Sequence, residues 1–225
     1  MNEHAALKAL EKVDAESSLL EFTKIMWPVL EPGRKLVLGW PIEAIINHLQ
    51  AVTDGDIKRL LINVPPGMSK STVISHMLQP FIWLHAPWAV VIGSSFDLSV
   101  SKDHLEKCKT IIKSEQYRNW FGPLFEQVHG QPLRLTKDTE RKFANNYGGE
   151  RFATSTGGAV TGKHAHLILR DDPMDPFHAE SAAYRKREIR FNDRTLPTRK
   201  KDPKVTPTIT VMQRVHMKDT TARDL

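Results

Sequence analysis

The segment Val64-Pro65-Pro66-Gly67-Met68-Ser69-Lys70-Ser71-Thr72 places a lysine and two hydroxyls directly behind a Pro- and Gly-containing turn. A mostly apolar run, Arg59 to Val64, precedes it, and a helix-like pattern follows. Strand, tight turn and Lys-Ser at a helix start form the layout that cradles phosphates with backbone N–H groups. In that layout Lys70 reaches β- and γ-phosphates and the Ser71 hydroxyl serves a Mg²⁺ ion. Pro66, Gly67, Met68, Ser69, Lys70, Ser71 and Thr72 are thus the candidate nucleotide-binding residues. The pattern GxxxxGK[ST] is not met, because Val64 and Ser69 stand at its glycine positions. If the backbone at position 69 requires φ > 0, serine is strained there. A plain strand–loop–helix corner with a surface lysine is the alternative.

Asp171 and Asp172 form the second chemical feature, at the end of His166-Leu167-Ile168-Leu169-Arg170 and before Pro173. Phosphoryl hydrolysis requires one carboxylate near the metal and one group that orients the attacking water. Adjacent residues at a strand end diverge, so Asp171 is expected in the Mg²⁺ shell and Asp172 at the water. A turn that caps the next helix would use the same residues. Arg170 interrupts the apolar strand without an evident reason. Together the two motifs predict a nucleotide hydrolase with ATP and Mg²⁺ as ligands.

The third feature is charge. The 225 residues carry Lys+Arg 32 against Asp+Glu 26, a formal net charge of +6. Residues 184–204 hold nine Lys/Arg against three Asp/Glu, so the rest of the chain is neutral. A local basic segment fits an anionic partner, although a solvated helix face would look the same. Arg185, Lys186, Arg187, Arg190 and Arg194 are the candidate DNA contacts, made to phosphates and therefore salt-sensitive.

The elements that must position these residues alternate. Helical spacing covers Ser17–Leu30 and Pro41–Thr53, and strands are expected at Arg59–Val64 and Trp88–Ile92. A helix is expected from Lys70 to about Leu84, kinked or ended by Pro80. Asp97 or Ser99 opens a further helix through Lys113. Residues 131–154 read as an antiparallel insertion of short strands. A basic helix spans Ser181 to Asn192, and Pro207–Met212 is the last strand. The alternation predicts an α/β domain with a largely parallel sheet and ligands at the strand carboxyl ends.

At this point the sequence resembles the ATPase domain of tailed-phage terminase large subunits. LLINVPPGMSKST, VVIGSSFDLSVSK, TGGAVTGKHAHLILRDDP and TITVMQRVHMKDTTARDL carry the resemblance, from about Trp40 to Leu225. It implies a P-loop NTPase of the additional-strand type: a helical segment over 1–39, the ATPase domain over 40–225, and no C-terminal nuclease. The implied activity is ATP hydrolysis that drives double-stranded DNA into a procapsid. Lys70 matches the loop lysine, Ser71 the Mg²⁺ hydroxyl, Asp171 and Asp172 the carboxylate pair, and Gln213 and Arg214 the coupling motif. Gly67, where relatives carry Arg, and Ser69 depart from the family. The implied partners are DNA, a portal ring, a small terminase subunit and further copies in a ring, in the cytoplasm of an infected bacterium. A trans-acting arginine is also implied, with Arg151 and Arg199 eligible. Two other readings stand beside this one: a helicase-like translocase, against which the absence of a DExD/H box speaks, and a degenerate P-loop module for DNA binding or assembly without turnover.

The remaining residues exclude more than they assign. No apolar run reaches the ~18 residues that span a bilayer, and the N-terminus lacks a secretory h-region. Cys108 is the lone cysteine, which excludes an internal disulfide framework and is expected to be inert in mid-helix. No CxxC or HExxH indicates zinc. Thr156–Lys163 reads as a flexible Gly-rich loop or a nucleotide- or DNA-facing one, with Lys163 and His164 candidates for a subunit contact. His216 and Asp219 fall in the last family-like stretch, where Asp219 equally suits a helix cap. Trp27, Trp40, Trp83, Trp88 and Trp120 are expected in the core.

Overall fold

The computed structural model describes residues 3–224, with side chains from 10 to 222. Seven strands form one sheet in the order β1-β7-β6-β2-β5-β4-β3. They are β1 (Arg59–Asn63), β2 (Val90–Ser95), β3 (Leu135–Asp138), β4 (Lys142–Asn145), β5 (Glu150–Ser155), β6 (Leu167–Asp171) and β7 (Thr208–Met212). β1, β7, β6, β2 and β5 run parallel, while β3–β4 and β4–β5 are antiparallel. β7, last in sequence, lies between the strand before the phosphate loop and the strand that ends in Asp171. This is the additional-strand arrangement of a P-loop NTPase. The expected insertion is smaller than residues 131–154, because β5 belongs to the parallel sheet through β2.

Helices α1 (Glu3–Ser17), α2 (Leu19–Leu30), α3 (Trp40–Thr53), α4 (Leu78–His85), α5 (Leu98–Lys113) and α6 (Glu115–His129) follow the expected pattern with two additions. The first is α1, which separates from α2 at Ser18, whose hydroxyl accepts from Glu21 N–H. The second is α6, capped by Ser114 and closed by Gly130 at φ 79°. Its Tyr117 and Phe121 meet Phe22 of α2 with ring centroids 6.3 and 5.3 Å apart. Phe22, Met26, Ile46, Leu49, Ile74, Phe121, Leu169 and Val211 belong to one buried core, so the segment before residue 40 packs into the core that holds the sheet.

Pro80 does not end its helix. Instead Thr72–Met77 winds as a π-helix and passes into α4, which continues through Pro80 to His85. Proline has no N–H and its ring clashes with the carbonyl four residues earlier. The wider π turn accommodates that mismatch, as where Leu78 N–H bonds Val73 O, five residues back.

Asp97, not Ser99, caps α5. Cys108 is fully buried, and desolvation pushes its thiol up to about 11. Trp27 and Trp83 are core residues, as expected, and half-buried Trp120 packs against the main core. Trp40 and Trp88, by contrast, are 80% and 54% exposed. Trp40 opens α3, and Trp88 precedes β2 with its ring edge-on to His166 at 4.9 Å. No helix among the described residues is long and apolar enough to cross a membrane.

Candidate functional site: a phosphate loop facing paired carboxylates

β1 ends at Asn63, and Val64 N–H still bonds Met212 O of β7 at 3.3 Å. The chain then leaves the sheet. Gly67 has φ 81° and Ser69 φ 52°, so the turn crosses the left-handed region twice, once without glycine. Position 69 therefore does require φ > 0, and serine holds it at a cost of roughly 1–2 kcal/mol. Pro66 and Gly67 are exposed, Met68, Ser69, Ser71 and Thr72 are half-buried, and Lys70 is buried. The helix begins at Lys70 and winds as a π-helix from Thr72, so the Lys-Ser pair forms its amino end, where N–H groups lack intrahelical acceptors.

Lys70 Nζ donates to Asp172 Oδ1 at 2.9 Å. The two predicted motifs thus meet directly. Asp172 is itself left-handed, at φ 45°. Its backbone is clamped on both sides: its N–H bonds Val211 O of β7 at 2.8 Å, and its carbonyl accepts from Phe96 N–H, just past β2, at 2.9 Å. A short aspartate side chain tolerates this conformation better than most residues.

Asp171 points the other way. It is buried, and its Oδ2 accepts from Ser75 Oγ at 2.6 Å and lies 3.3 Å from His104 Nε2. His104 Nδ1 lies 3.0 Å from His76 Nε2. Burial lowers the pKa of both imidazoles, most strongly for His76, while Asp171 partly opposes the shift at His104. Asp171 Oδ1 is buried without a hydrogen-bond partner. Sequence reasoning misses this network, because Ser75, His76 and His104 belong to no motif; their only signal is polarity on otherwise apolar helix faces.

Arg151 lies deeper still. It is 1% exposed, and its Nη1 donates to Ser75 O at 2.7 Å within the π segment. It therefore cannot reach a neighbouring subunit, which corrects the expectation that it was eligible as a trans-acting arginine. Arg199 is half-buried and hydrogen-bonds Thr198.

Gln213 and Arg214 continue β7. Met212 is in register with Asn63, and Val211 with Asp171, so Gln213 leaves the sheet between the two motifs. Arg214 is exposed, and its Nε donates to Asp219 Oδ2 at 3.1 Å. Asp219 is fully buried; it caps α8 (Thr220–Asp224) through Ala222 N–H and accepts from Val215 and His216 N–H. Burial works against its charge, but these donors prevail and hold its pKa below the ordinary carboxylate value. Thr221 Oγ1 donates to Asn63 Oδ1 at 2.9 Å, tying α8 to the end of β1.

An apolar cavity of about 240 Å³ opens beside the loop, lined by Trp27, Val37, Ile42, Gly67, Met68 and Ser69 among others, with Arg34 and Lys35 at its edge. No sequence pattern announces it, since its walls come from segments far apart in the chain.

Three features are ones a MgATP site would use: the left-handed turns at Gly67 and Ser69, the adjoining apolar cavity, and the buried, unpartnered Oδ1 of Asp171. Among the described residues no group of three or more His, Cys, Asp or Glu could hold a metal alone.

The Gly-rich stretch packs against the same region: Thr156 Oγ1 donates to Pro173 O at 2.9 Å, and Lys163 Nζ lies 5.4 Å from the Phe152 ring centre. The basic helix α7 (Ala182–Arg190) runs into a π turn, Phe191–Thr195. Arg185 donates to Ala179 O, and Arg187 pairs with buried Glu188 and covers the Tyr184 ring. Lys186, Arg190 and Arg194 are exposed.

No protein-family model matches the chain, and no curated protein matches it in sequence. Among solved structures, the chain is similar in fold to the crystal structure of the HK97 bacteriophage large terminase, with a TM-score of 0.51 at 13% identity. The match covers 84% of this chain and 36% of that one, so the chain spans about a third of the terminase's length.

Proposed function

We propose that this chain is a terminase-like ATPase domain that hydrolyses ATP with Mg²⁺ to move double-stranded DNA. One observation carries the reading: Lys70 and Asp172, from two motifs 102 residues apart, meet at 2.9 Å at the carboxyl ends of their strands. The fold likeness to a phage large terminase supports the biological setting.

In this mechanism the loop N–H groups at residues 67–72 bind the phosphates and the apolar cavity seats the base. Ser71 and Asp171 would hold Mg²⁺, which when bound neutralises charge on the β- and γ-phosphates. Lys70 exchanges Asp172 for the γ-phosphate and stabilises charge in the transition state. Asp172, released, orients the attacking water. An arginine from a neighbouring copy completes charge neutralisation, and Arg199 remains eligible. Gln213 and Arg214, on the strand between the motifs, relay phosphate loss to the DNA-gripping surface, for which Lys186, Arg190 and Arg194 are the strongest candidates. A portal ring, a small terminase subunit and ring-forming copies are the proposed partners, within the host cytoplasm.

A second reading, nucleotide binding without turnover, draws on Ser69 at positive φ and on the engagement of Asp171 by Ser75 and His104. Calorimetric titration of MgATP into wild type and Lys70→Ala, followed by phosphate-release assays with DNA, separates the two. Binding lost in the variant with turnover in wild type supports the motor; binding without turnover, even in assembled rings, supports the module.

A further inference from the structure

Arg151, the second residue of β5, is only 1% exposed. Alternation along the strand puts Arg151 and Ala153 on one face. Ala153 there belongs to an apolar cluster with Leu105 and Cys108 of α5. A guanidinium keeps its charge in such a place, so it is tolerated only where hydrogen bonds hold it. Its Nη1 reaches the Ser75 carbonyl at 2.7 Å. That carbonyl lies in the π segment Thr72–Met77, where Leu78 N–H bonds Val73 O, five residues back. In the same register the donor for Ser75 O would be residue 80, a proline with no N–H. Arg151 thus brings a donor from the sheet to a carbonyl that Pro80 cannot serve. The approach is close: a Cβ at Gly93, on neighbouring β2, would stand 3.3 Å from Arg151 Nη2. Glycine leaves the guanidinium its room there.

Ser75 is also the residue whose hydroxyl donates to Asp171 Oδ2 at 2.6 Å, the short distance of a bond to a charged acceptor. His104 Nε2 stands 3.3 Å from the same oxygen. Both neighbours engage Oδ2, and Oδ1 is the oxygen without a hydrogen-bond partner. One serine therefore joins the arginine, at its backbone, to the carboxylate, at its side chain. We propose that Arg151 is a positioning residue: by fixing Ser75 it sets the orientation of the Asp171 carboxylate, with Oδ2 held and Oδ1 left for a divalent cation. This rests on the proposed function, in which Asp171 serves Mg²⁺. It gives the buried arginine a task within its own chain.

The test measures calorimetrically the affinity of the whole chain for a non-hydrolysable ATP analogue, with and without Mn²⁺. The ratio of the two affinities reads what the metal adds through the protein, and Asp171→Asn marks its value without the carboxylate. Arg151→Met removes the donors and keeps most of the volume, while Arg151→Lys retains a donor and the charge. In Arg151→Met the ratio is expected to fall at least about tenfold, with the metal-free affinity unchanged, and Arg151→Lys is expected to recover part of it. Ser75→Ala, which deletes only the hydroxyl, is expected to lose the ratio likewise. Should Arg151→Met fail to fold, as circular dichroism would show, Gly93→Ala replaces it: its Cβ crowds Nη2 with the charge retained, and the ratio is again expected to fall. No gain from Mn²⁺ in wild type, or a gain that survives Asp171→Asn, overturns the reading of Asp171 and the proposal with it. A gain lost in Asp171→Asn but intact in the folded Arg151→Met, or in Gly93→Ala in its place, overturns the proposal alone. A lowered melting temperature with an unchanged ratio would mean that the arginine only supports the fold.

Discussion

Lys70 and Asp172 hold each other across the mouth of the candidate site, Nζ to Oδ1 at 2.9 Å. The lysine is nearly buried, with 9% side-chain exposure, and the aspartate is at 33%. In the proposed mechanism nucleotide therefore takes Lys70 from Asp172. A partly exposed pair of this kind is worth about 0.5–1 kcal/mol. Asp172→Asn is expected to bind MgATP about two- to fivefold more tightly while its turnover falls ~100-fold or more. Calorimetry and phosphate release read the two effects. Weaker binding in the variant would contradict the competition.

Ser69 at φ 52° sets a conformational order. Glycine adopts this region freely and β-branched residues almost never do. Chemical denaturation is expected to rank Ser69→Gly equal to or above wild type, by up to about 1 kcal/mol, and Ser69→Val at least about 1–2 kcal/mol below it. A destabilised Gly variant would mean that the serine hydroxyl, not the backbone, matters.

Asp219 is buried and accepts from three backbone N–H groups and Arg214. Its pKa is lower in the folded chain than in the unfolded one. Its contribution to stability is thus complete above the unfolded value of ~3.9 and is lost as pH falls through the depressed folded value. At neutral pH Asp219→Asn is expected to cost about 1–3 kcal/mol. The deficit should shrink in acid, where wild type loses the same charge. A deficit constant from pH 7 to pH 3 would show that packing alone is at stake.

Lys186, Arg190 and Arg194 are exposed, whereas Arg185 and Arg187 are engaged by Ala179 O and Glu188. Reversing the three exposed charges to Glu is expected to weaken duplex binding for every sequence. It should also reduce the salt dependence, by roughly 0.9 in the log–log slope for each phosphate no longer neutralised. Fluorescence anisotropy at several salt concentrations measures this. Unchanged affinity and slope would remove the segment from the DNA surface.

The chain order of motifs and strands was legible because buried parallel strands write themselves as short apolar runs, and Asp171 and Asp172 follow one such run. The meeting of Lys70 with Asp172 follows from the strand order, since their strands end on one side of the sheet. Helix α6 escaped because its apolar face is diluted by Gly122, Pro123 and polar residues, and its meaning comes from Phe22, far away in the chain. The continuation past Pro80 escaped because a π turn has no sequence signature of its own. That Asp171 and Asp172 diverge is legible from their adjacency at a strand end; the partners they meet, Ser75 and His104 for Asp171 and Lys70 for Asp172, come from distant segments and from the left-handed turn at Asp172, which neither composition nor spacing encodes.

The left-handed turns at Ser69 and Asp172 belong to the folded backbone itself, and the second is pinned by Val211 and Phe96. Under the proposed function such a cradle would be preorganised: backbone entropy is given up during folding, not at encounter. Association then needs one side-chain exchange at Lys70, a rotamer event faster than loop closure. The slow steps of any catalytic cycle are left to larger bodies, the strand between the motifs and the neighbouring copies it would signal to.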